Sequence, residues 1–180
     1  MDRERSGTRA NDVDHGGSPG RLLIIGGGED RCCGAGLLQR FVDLAGGDEA
    51  RIVLVTTASN MPEEVLADYE RVFRKLGVLQ TSELRLRGRS DADGDDAADL
   101  LSSATGVFFT GGDQSKLRTL VGSRANDILS ERLAHGLVIA GTSAGATAMG
   151  GISTHWERRC CPTTSAGRCR TRLASPKSSR

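Results

Sequence analysis

Short apolar runs alternate with amphipathic stretches between residues 21 and 150. Four of these runs predict buried strands, because each consists mainly of consecutive apolar residues and is bounded by turn residues. They are Leu22–Ile25, Arg51–Val55, Gly106–Thr110 and Leu137–Ala140. A weaker alternation over Thr81–Leu86 predicts one more strand. Strands that alternate with helices predict a parallel sheet covered by helices on both faces.

Helical periodicity is clearest after the second predicted strand. Pro62 suits the first position of a helix, and Gly77 ends it. Between them, apolar residues recur at the three- and four-residue spacing of one helix face. The same periodicity predicts helices over Gly36–Ala45, Asp91–Ser103, Gln114–Val121 and Arg124–Ala134.

Glycine clusters follow three of the predicted strands, and they account for part of an unusually high total of 24 glycines. Open parallel sheets form their sites at the carboxyl ends of strands, where loops and helix N-termini meet. Glycine there allows the backbone to turn sharply or to approach a ligand closely. We therefore expect the chemistry of this protein at these strand ends.

The sharpest motif is the G-x-S-x-G sequence over Gly141–Gly145, between a buried strand and a predicted helix. A nucleophile elbow has small neighbours at this point because its turn is tight and exposes the central serine. Ser143 is thus a candidate nucleophile, and the amide of Ala144 is a candidate oxyanion donor. The alternative is a glycine-rich turn whose serine only caps the helix.

A second motif follows the fourth strand, where Gly111-Gly112-Asp113-Gln114 ends an apolar run. The amides of Gly112 and Asp113 are candidates to complete an oxyanion hole, and Asp113 or Gln114 to bind a polar substrate. The competing interpretation makes Asp113 a helix N-cap. A third cluster, Gly26–Gly28, departs from the dinucleotide fingerprint and is followed by acidic residues that disfavour a pyrophosphate.

Composition and charge narrow the function classes. Residues 151–180 hold seven Lys/Arg and one acidic residue, which leaves residues 1–150 with a net charge of −5 and no support for a nucleic-acid surface. No apolar run reaches the length of a membrane span, and no signal peptide is indicated, so we expect a cytoplasmic protein. The five cysteines lack the spacing of a metal site.

We expect a flexible leader over 1–20, one α/β domain over 21–150 and an irregular basic tail over 151–180.

Taken together, the segments resemble the cyanophycinases of peptidase family S51. The resemblance lies in IIGGGEDR, TTASNMPEEV, GVFFTGGDQSKL and VIAGTSAGATAM, which occur in this order across about residues 21–150. It implies a three-layer α/β fold with a mostly parallel sheet, like that of class I glutamine amidotransferases and flavodoxin. It also implies a serine hydrolase that cleaves cyanophycin, an aspartate polymer bearing arginine side chains, to β-Asp-Arg dipeptides through an acyl-enzyme.

In that interpretation Ser143 is the nucleophile, the amides of Gly112, Asp113 and Ala144 hold the oxyanion, and Gln114 lines the substrate site. No metal or organic cofactor is expected, and the partner is cyanophycin or an Asp-Arg peptide rather than nucleic acid or a membrane. An aspartyl dipeptidase-like enzyme and a non-catalytic, small-molecule-binding α/β fragment stay open as alternatives. A homodimer also stays open, since sequence does not reveal the oligomeric state.

A serine nucleophile needs a base within hydrogen-bond reach. His15 lies in the leader, and eight extended residues separate His135 from Ser143 by roughly 26 Å. His155 lies 12 residues beyond Ser143 and requires a chain reversal to return. The downstream Asp-Gln-His segment that the resemblance implies is missing, and the match stops near Gly150. We therefore expect a truncated or frame-shifted product that lacks the base and part of the sheet.

Overall fold

A computed structural model describes residues 19–28, 36–150 and 152. The predicted leader lies outside the described residues except for its last two positions, and the predicted tail does so except for Ile152. His15, His155 and all five cysteines also lie outside the described part. The domain boundaries thus remain expectations.

Five strands form one parallel sheet in the order β1-β5-β4-β2-β3. The strands are β1 (Arg21–Ile25), β2 (Arg51–Val55), β3 (Gln80–Leu84), β4 (Gly106–Phe109) and β5 (Val138–Thr142). The prediction of a parallel α/β sheet is confirmed. The strand order was not predicted, and it places the strand before Ser143 between the two other glycine-ended strands.

Helices cover both faces of this sheet. The α-helices are α1 (Gly36–Ala45), α2 (Pro62–Lys75), α3 (Arg89–Asp93), α4 (Asp95–Ser103) and α5 (Arg124–Ala134). Two 3-10 helices span Gly47–Glu49 and Gln114–Leu120, and a further helix occupies residues 144–150. Helices α1 and α2 pack on one face, while α4, α5 and the helix after Ser143 pack on the other.

Strict alternation along the strands divides the core into two layers. In β2, Val53 and Val55 face the α4–α5 side, whereas Ile52 and Leu54 face the α1–α2 side. Consecutive residues of a central strand point to opposite faces, and both faces are buried, so each central strand is a continuous apolar run in the sequence. This is why periodicity alone located them in the sequence.

Phe108 is the centre of an aromatic cluster on the α1–α2 face. Its ring centroid lies 4.8 Å from that of Tyr69, 5.6 Å from Phe41 and 5.9 Å from Phe73. All four side chains are fully buried. The geometry is tilted or edge-to-face, the arrangement that aromatic pairs prefer. The cluster joins α1 and α2 to the middle of the sheet.

Several predicted boundaries differ from the observed ones. The single helix expected over Asp91–Ser103 is two helices, because Gly94 adopts an extended conformation with φ −73° and ψ 159° between them. The third strand begins at Gln80, one residue earlier than expected, and ends at Leu84, two residues earlier than expected. The strand before the serine continues to Thr142, so its turn starts at Ser143 itself.

The chain reverses its direction across the sheet between β2 and β4. From β2 it proceeds outward to β3, and from β4 it proceeds the other way to β5. The helix after β2 lies on one face and α5, after β4, lies on the other. Neighbouring connections that leave on opposite faces open a crevice at the strand ends, where ligands bind in doubly wound folds.

Within the described residues, no helix combines the length and the apolar character that crossing a bilayer requires.

Candidate active site

Ser143 occupies the sharp turn between β5 and the helix that begins at Ala144. Its φ of 52° is positive, and it is the sole non-glycine residue of the described chain in that state. Its side chain is exposed, and within the described residues its hydroxyl makes no hydrogen bond. A serine that capped the helix would normally adopt the extended conformation and accept an amide proton. The observed geometry is that of an elbow rather than of a cap.

Neighbouring backbone holds this turn in place. The amide of Ser143 donates to the carbonyl of Ile25 at 3.0 Å, and its own carbonyl accepts from Ala146 at 3.0 Å. A Cβ on Gly27 would lie 3.6 Å from the Cβ of Ser143, and one on Gly111 would lie 3.5 Å away. Ser143 therefore sits between the glycine ends of β1 and β4.

The small residues of the motif are required by close backbone packing. A Cβ on Gly141 would lie 2.6 Å from the carbonyl carbon of Gly145. A Cβ on Gly145 would lie 2.8 Å from the Cβ of Phe109 and nearer still to that residue's carbonyl oxygen. Real Cβ atoms do not approach other atoms this closely, so the helix can lie against the sheet only because both positions are glycine.

The loop after β4 is fixed to the loop after β2. The amide of Asp113 donates to the carbonyl of Ala58 at 2.8 Å, and a Cβ on Gly112 would lie 2.9 Å from the amide nitrogen of Ser59. The Asp113 amide is thus already bonded, and the oxyanion role expected for it does not fit the structure. No turn or loop hydrogen bond within the described residues engages the amides of Gly112 and Ala144.

The carboxylate of Asp113 caps the 3-10 helix that starts at Gln114. It accepts a hydrogen bond from the amide of Ser115 at 2.8 Å. Hydrogen bonds from Ser115, followed by the nearby charge of Lys116, hold the pKa of Asp113 below its ordinary value. The capping interpretation of Asp113 is therefore the one that its contacts support. Gln114 begins the helix with an exposed side chain.

His135 is the single histidine among the described residues, and it lies far from Ser143. It follows α5 and precedes β5, so the length of a strand separates it from the elbow. Its Nδ1 lies 2.8 Å from the carbonyl oxygen of Glu131. The described part of the chain therefore brings no histidine to the nucleophile, and His155 lies outside it.

A polar cleft of about 460 Å³ lies on the same edge of the sheet, at the ends of β2 and β3. Its walls come from the loop after β2, the segment after β3 and the 3-10 helix after β4. Sequence reasoning missed this cleft, because its residues carry no catalytic motif. The signal that could have indicated it is the change of chain direction between β2 and β4, which requires knowledge of the strand order.

One arginine of the cleft is neutralised by two carboxylates. Arg85 donates to Glu63 at 2.8 Å and to Glu83 at 3.0 Å. The hydrogen bond from Arg85 holds the pKa of Glu63 below its ordinary value, and Arg87 contributes to the same shift through its charge. Thr56 donates a short hydrogen bond to Glu83. The acidic groups beside the cleft are thus already paired.

The fold and the turn together define a class of protein. It is an α/β protein with a parallel sheet, in which a strained and exposed serine joins a central strand to a helix. The chain belongs to peptidase family S51, whose family model matches residues 22–158.

Curated relatives agree with this assignment. The chain is 36% identical over 131 residues to a cyanophycinase of Trichormus variabilis, a match that covers 72% of this chain and 44% of the relative. It is 35% identical over 134 residues to a cyanophycinase of Geminocystis herdmanii, covering 72% of this chain and 48% of the relative. The chain thus spans somewhat less than half the length of these relatives.

A solved structure supports the fold independently. A peptidase from an acI-B1 Actinobacterium superposes with a TM-score of 0.56 at 24% identity. The match covers 71% of this chain and 55% of that chain. At this level of identity the similarity supports the three-layer fold and nothing finer.

Proposed function

We propose that this chain carries the nucleophile of a serine-type peptidase that cleaves cyanophycin. The observation that carries the proposal is the geometry of Ser143, which is exposed at a positive φ between the glycine ends of two neighbouring strands. A strained serine whose hydroxyl bonds to none of the described residues does not act as a cap in this part of the chain. The substrate class follows from the cyanophycinase relatives.

In the proposed reaction the Ser143 oxygen attacks a peptide carbonyl of the aspartate backbone. A general base takes the hydroxyl proton and then delivers it to the leaving amine as the C–N bond breaks. Water then attacks the resulting acyl-enzyme, and the base takes a proton from the water and delivers it to the Ser143 oxygen as the ester bond breaks. The amides of Gly112 and Ala144 are the proposed oxyanion donors, and Gln114 the proposed contact to the substrate.

The proposed base comes from outside the described residues, because His135 lies at the other end of β5. The distance of His135 from Ser143 also favours a second candidate function, in which the chain binds the polymer and does not cleave it. An aspartyl dipeptidase-like activity differs only in the substrate and is separated by comparing cyanophycin with Asp-X dipeptides.

The test compares the wild type with Ser143→Ala in release of β-Asp-Arg from cyanophycin. Ser102→Ala is the matched control, since Ser102 is an exposed serine on α4. Any release that the wild type shows should persist in the control and be absent from Ser143→Ala. Labelling of Ser143 by a fluorophosphonate, detected by mass spectrometry, reports the nucleophile without requiring turnover. Equal release by wild type and Ser143→Ala contradicts the proposal, and polymer binding without release by any variant supports the non-catalytic candidate.

A further inference from the structure

The cleft at the ends of β2 and β3 contains a positively charged side chain that forms no ion pair with the described residues. Within the described residues, the guanidinium of Arg87 makes no hydrogen bond and no ion pair, although it lines the cleft and is exposed. Glu63 and Glu83, the carboxylates beside the cleft, are both bonded to Arg85, and Asp91 accepts a hydrogen bond from the backbone amide of Arg87 at 2.8 Å. One cation on this wall is therefore available to a ligand.

Lys116, on the opposite wall, also has a free donor. Its ammonium group donates to the carbonyl of Ser59 at 3.0 Å and to Oδ1 of Asn60 at 2.8 Å. An ammonium group has three N–H donors, so one remains. These two contacts fix the Lys116 side chain beside the cleft and reduce the entropy that a ligand contact would otherwise cost.

Two nearly buried hydroxyls add further donors. Thr57 is 6% exposed and accepts from the amide of Leu86 at 2.8 Å, and Ser59 is 8% exposed and accepts from the amide of Met61 at 3.0 Å. Each hydroxyl has therefore used an acceptor position and retains its O–H. The cleft thus offers a guanidinium, an ammonium and hydroxyl donors, which together suit an anionic oxygen ligand.

The cleft is joined to the elbow by one loop. Gly111 packs beside Ser143, Gly112 and Asp113 pack against the loop after β2, and the helix that follows supplies Lys116. Two strand spacings separate the end of β5 from the end of β2, which is roughly 10 Å. A ligand of modest length can therefore contact both places.

We propose that this cleft binds the free carboxylate of an arginyl unit next to the scissile residue of the polymer. This inference rests on the proposed function. Each arginine of cyanophycin is linked through its amino group, so its own carboxylate remains free and charged. A backbone step of about 3.5 Å and an arm of about 6 Å carry that carboxylate the required distance. Arg87 and Lys116 bind it, and the cleft so selects chains longer than one repeat.

The test uses the Ser143→Ala chain, which removes turnover from the measurement, and synthetic β-Asp-Arg oligomers of one and two repeats. Isothermal titration calorimetry gives each affinity. We expect the two-repeat oligomer to bind about tenfold more tightly than the single repeat, a gain that one charge-assisted contact can supply. Adding Arg87→Gln or Lys116→Gln abolishes this gain. Adding Arg74→Gln, the same substitution at an exposed arginine of α2, preserves it.

A two-repeat oligomer with amidated arginine carboxylates is the second probe, and it binds no more tightly than one repeat. Circular dichroism establishes that each variant is folded. The subsite is wrong if both cleft variants keep the gain, or if the amidated oligomer binds as tightly as the free acid. Failure of the folded Ser143→Ala chain to bind any oligomer overturns the proposed function together with the subsite, so the two failures are distinguishable.

Discussion

The strain at Ser143 makes a prediction about stability that is separate from catalysis. Ser143→Ala and Ser143→Gly both remove the hydroxyl, but only glycine removes the Cβ that makes a φ of 52° unfavourable. The left-handed conformation costs a residue with a Cβ about 1–2 kcal/mol. Glycine loses about 0.5–1 kcal/mol more backbone entropy on folding. The difference between the midpoints of these two ranges predicts that Ser143→Gly is more stable than Ser143→Ala by about 0.8 kcal/mol.

Thermal unfolding followed by circular dichroism measures this difference. For a domain of this size, it corresponds to a Tm about 2–4 °C higher for the glycine variant than for the alanine variant. The alanine variant should unfold close to the wild type, because serine and alanine both place a Cβ in the strained position. Neither variant should release dipeptide, so the glycine variant gains stability while it loses the proposed activity.

The control is the same pair of substitutions at Ser102, an exposed position of helix α4. In a helix, glycine is less favourable than alanine by about 1 kcal/mol, so Ser102→Gly should be less stable than Ser102→Ala. The two sites therefore predict opposite signs for one chemical change. A Ser143→Gly chain that unfolds at or below the temperature of Ser143→Ala would refute the strained elbow.

Three further outcomes follow from packing and charge. Gly145→Ala should destabilise by about 1–3 kcal/mol because its Cβ meets the backbone of Phe109. Gly150→Ala should unfold no earlier than the wild type in urea, because its Cβ meets no atom of the described residues within 4 Å. Phe108→Ala should cost about 3–5 kcal/mol in the same assay because the ring is fully buried, and a loss below 1 kcal/mol would contradict the aromatic cluster. The hydrogen bond from Arg85 lowers the pKa of Glu63 below its ordinary value of 4.5. The contribution of this pair to the stability of the fold is therefore complete at higher pH and is lost as the pH falls. Between about pH 5 and pH 3, Tm should fall less for Glu63→Gln than for the wild type, and parallel profiles would exclude this role.

The sequence was most informative where burial is complete. Arg51–Val55 was located without error, since all its residues but the first are buried and the apolar run has no interruption. Helix α2 was equally clear because Pro62 starts it and one face is apolar. The prediction of one helix over Asp91–Ser103 was wrong at Gly94. A single glycine within an acidic, alanine-rich stretch does not indicate that the chain leaves the helical conformation there.

The candidate site was predictable only in part. Local spacing indicated the turn at Ser143, because a tight elbow constrains its immediate neighbours. The partner that bonds the Asp113 amide, Ala58, comes from another strand, and nothing local to the GGDQ sequence indicates it. The place of Gly27 beside Ser143 likewise depends on the pairing of β1 with β5, which no periodicity encodes.

That pairing also has a consequence for how the chain folds. Arg21 is opposite Val138, so the first and last strands of the described sheet meet only after a loop of about 120 residues has closed, at an entropic cost of roughly 4 kcal/mol. Contacts between such distant parts of a sequence form slowly. Because the amide of Ser143 bonds to Ile25 in β1, we expect a nascent chain emerging from the ribosome to complete its elbow only after β5 has paired with β1.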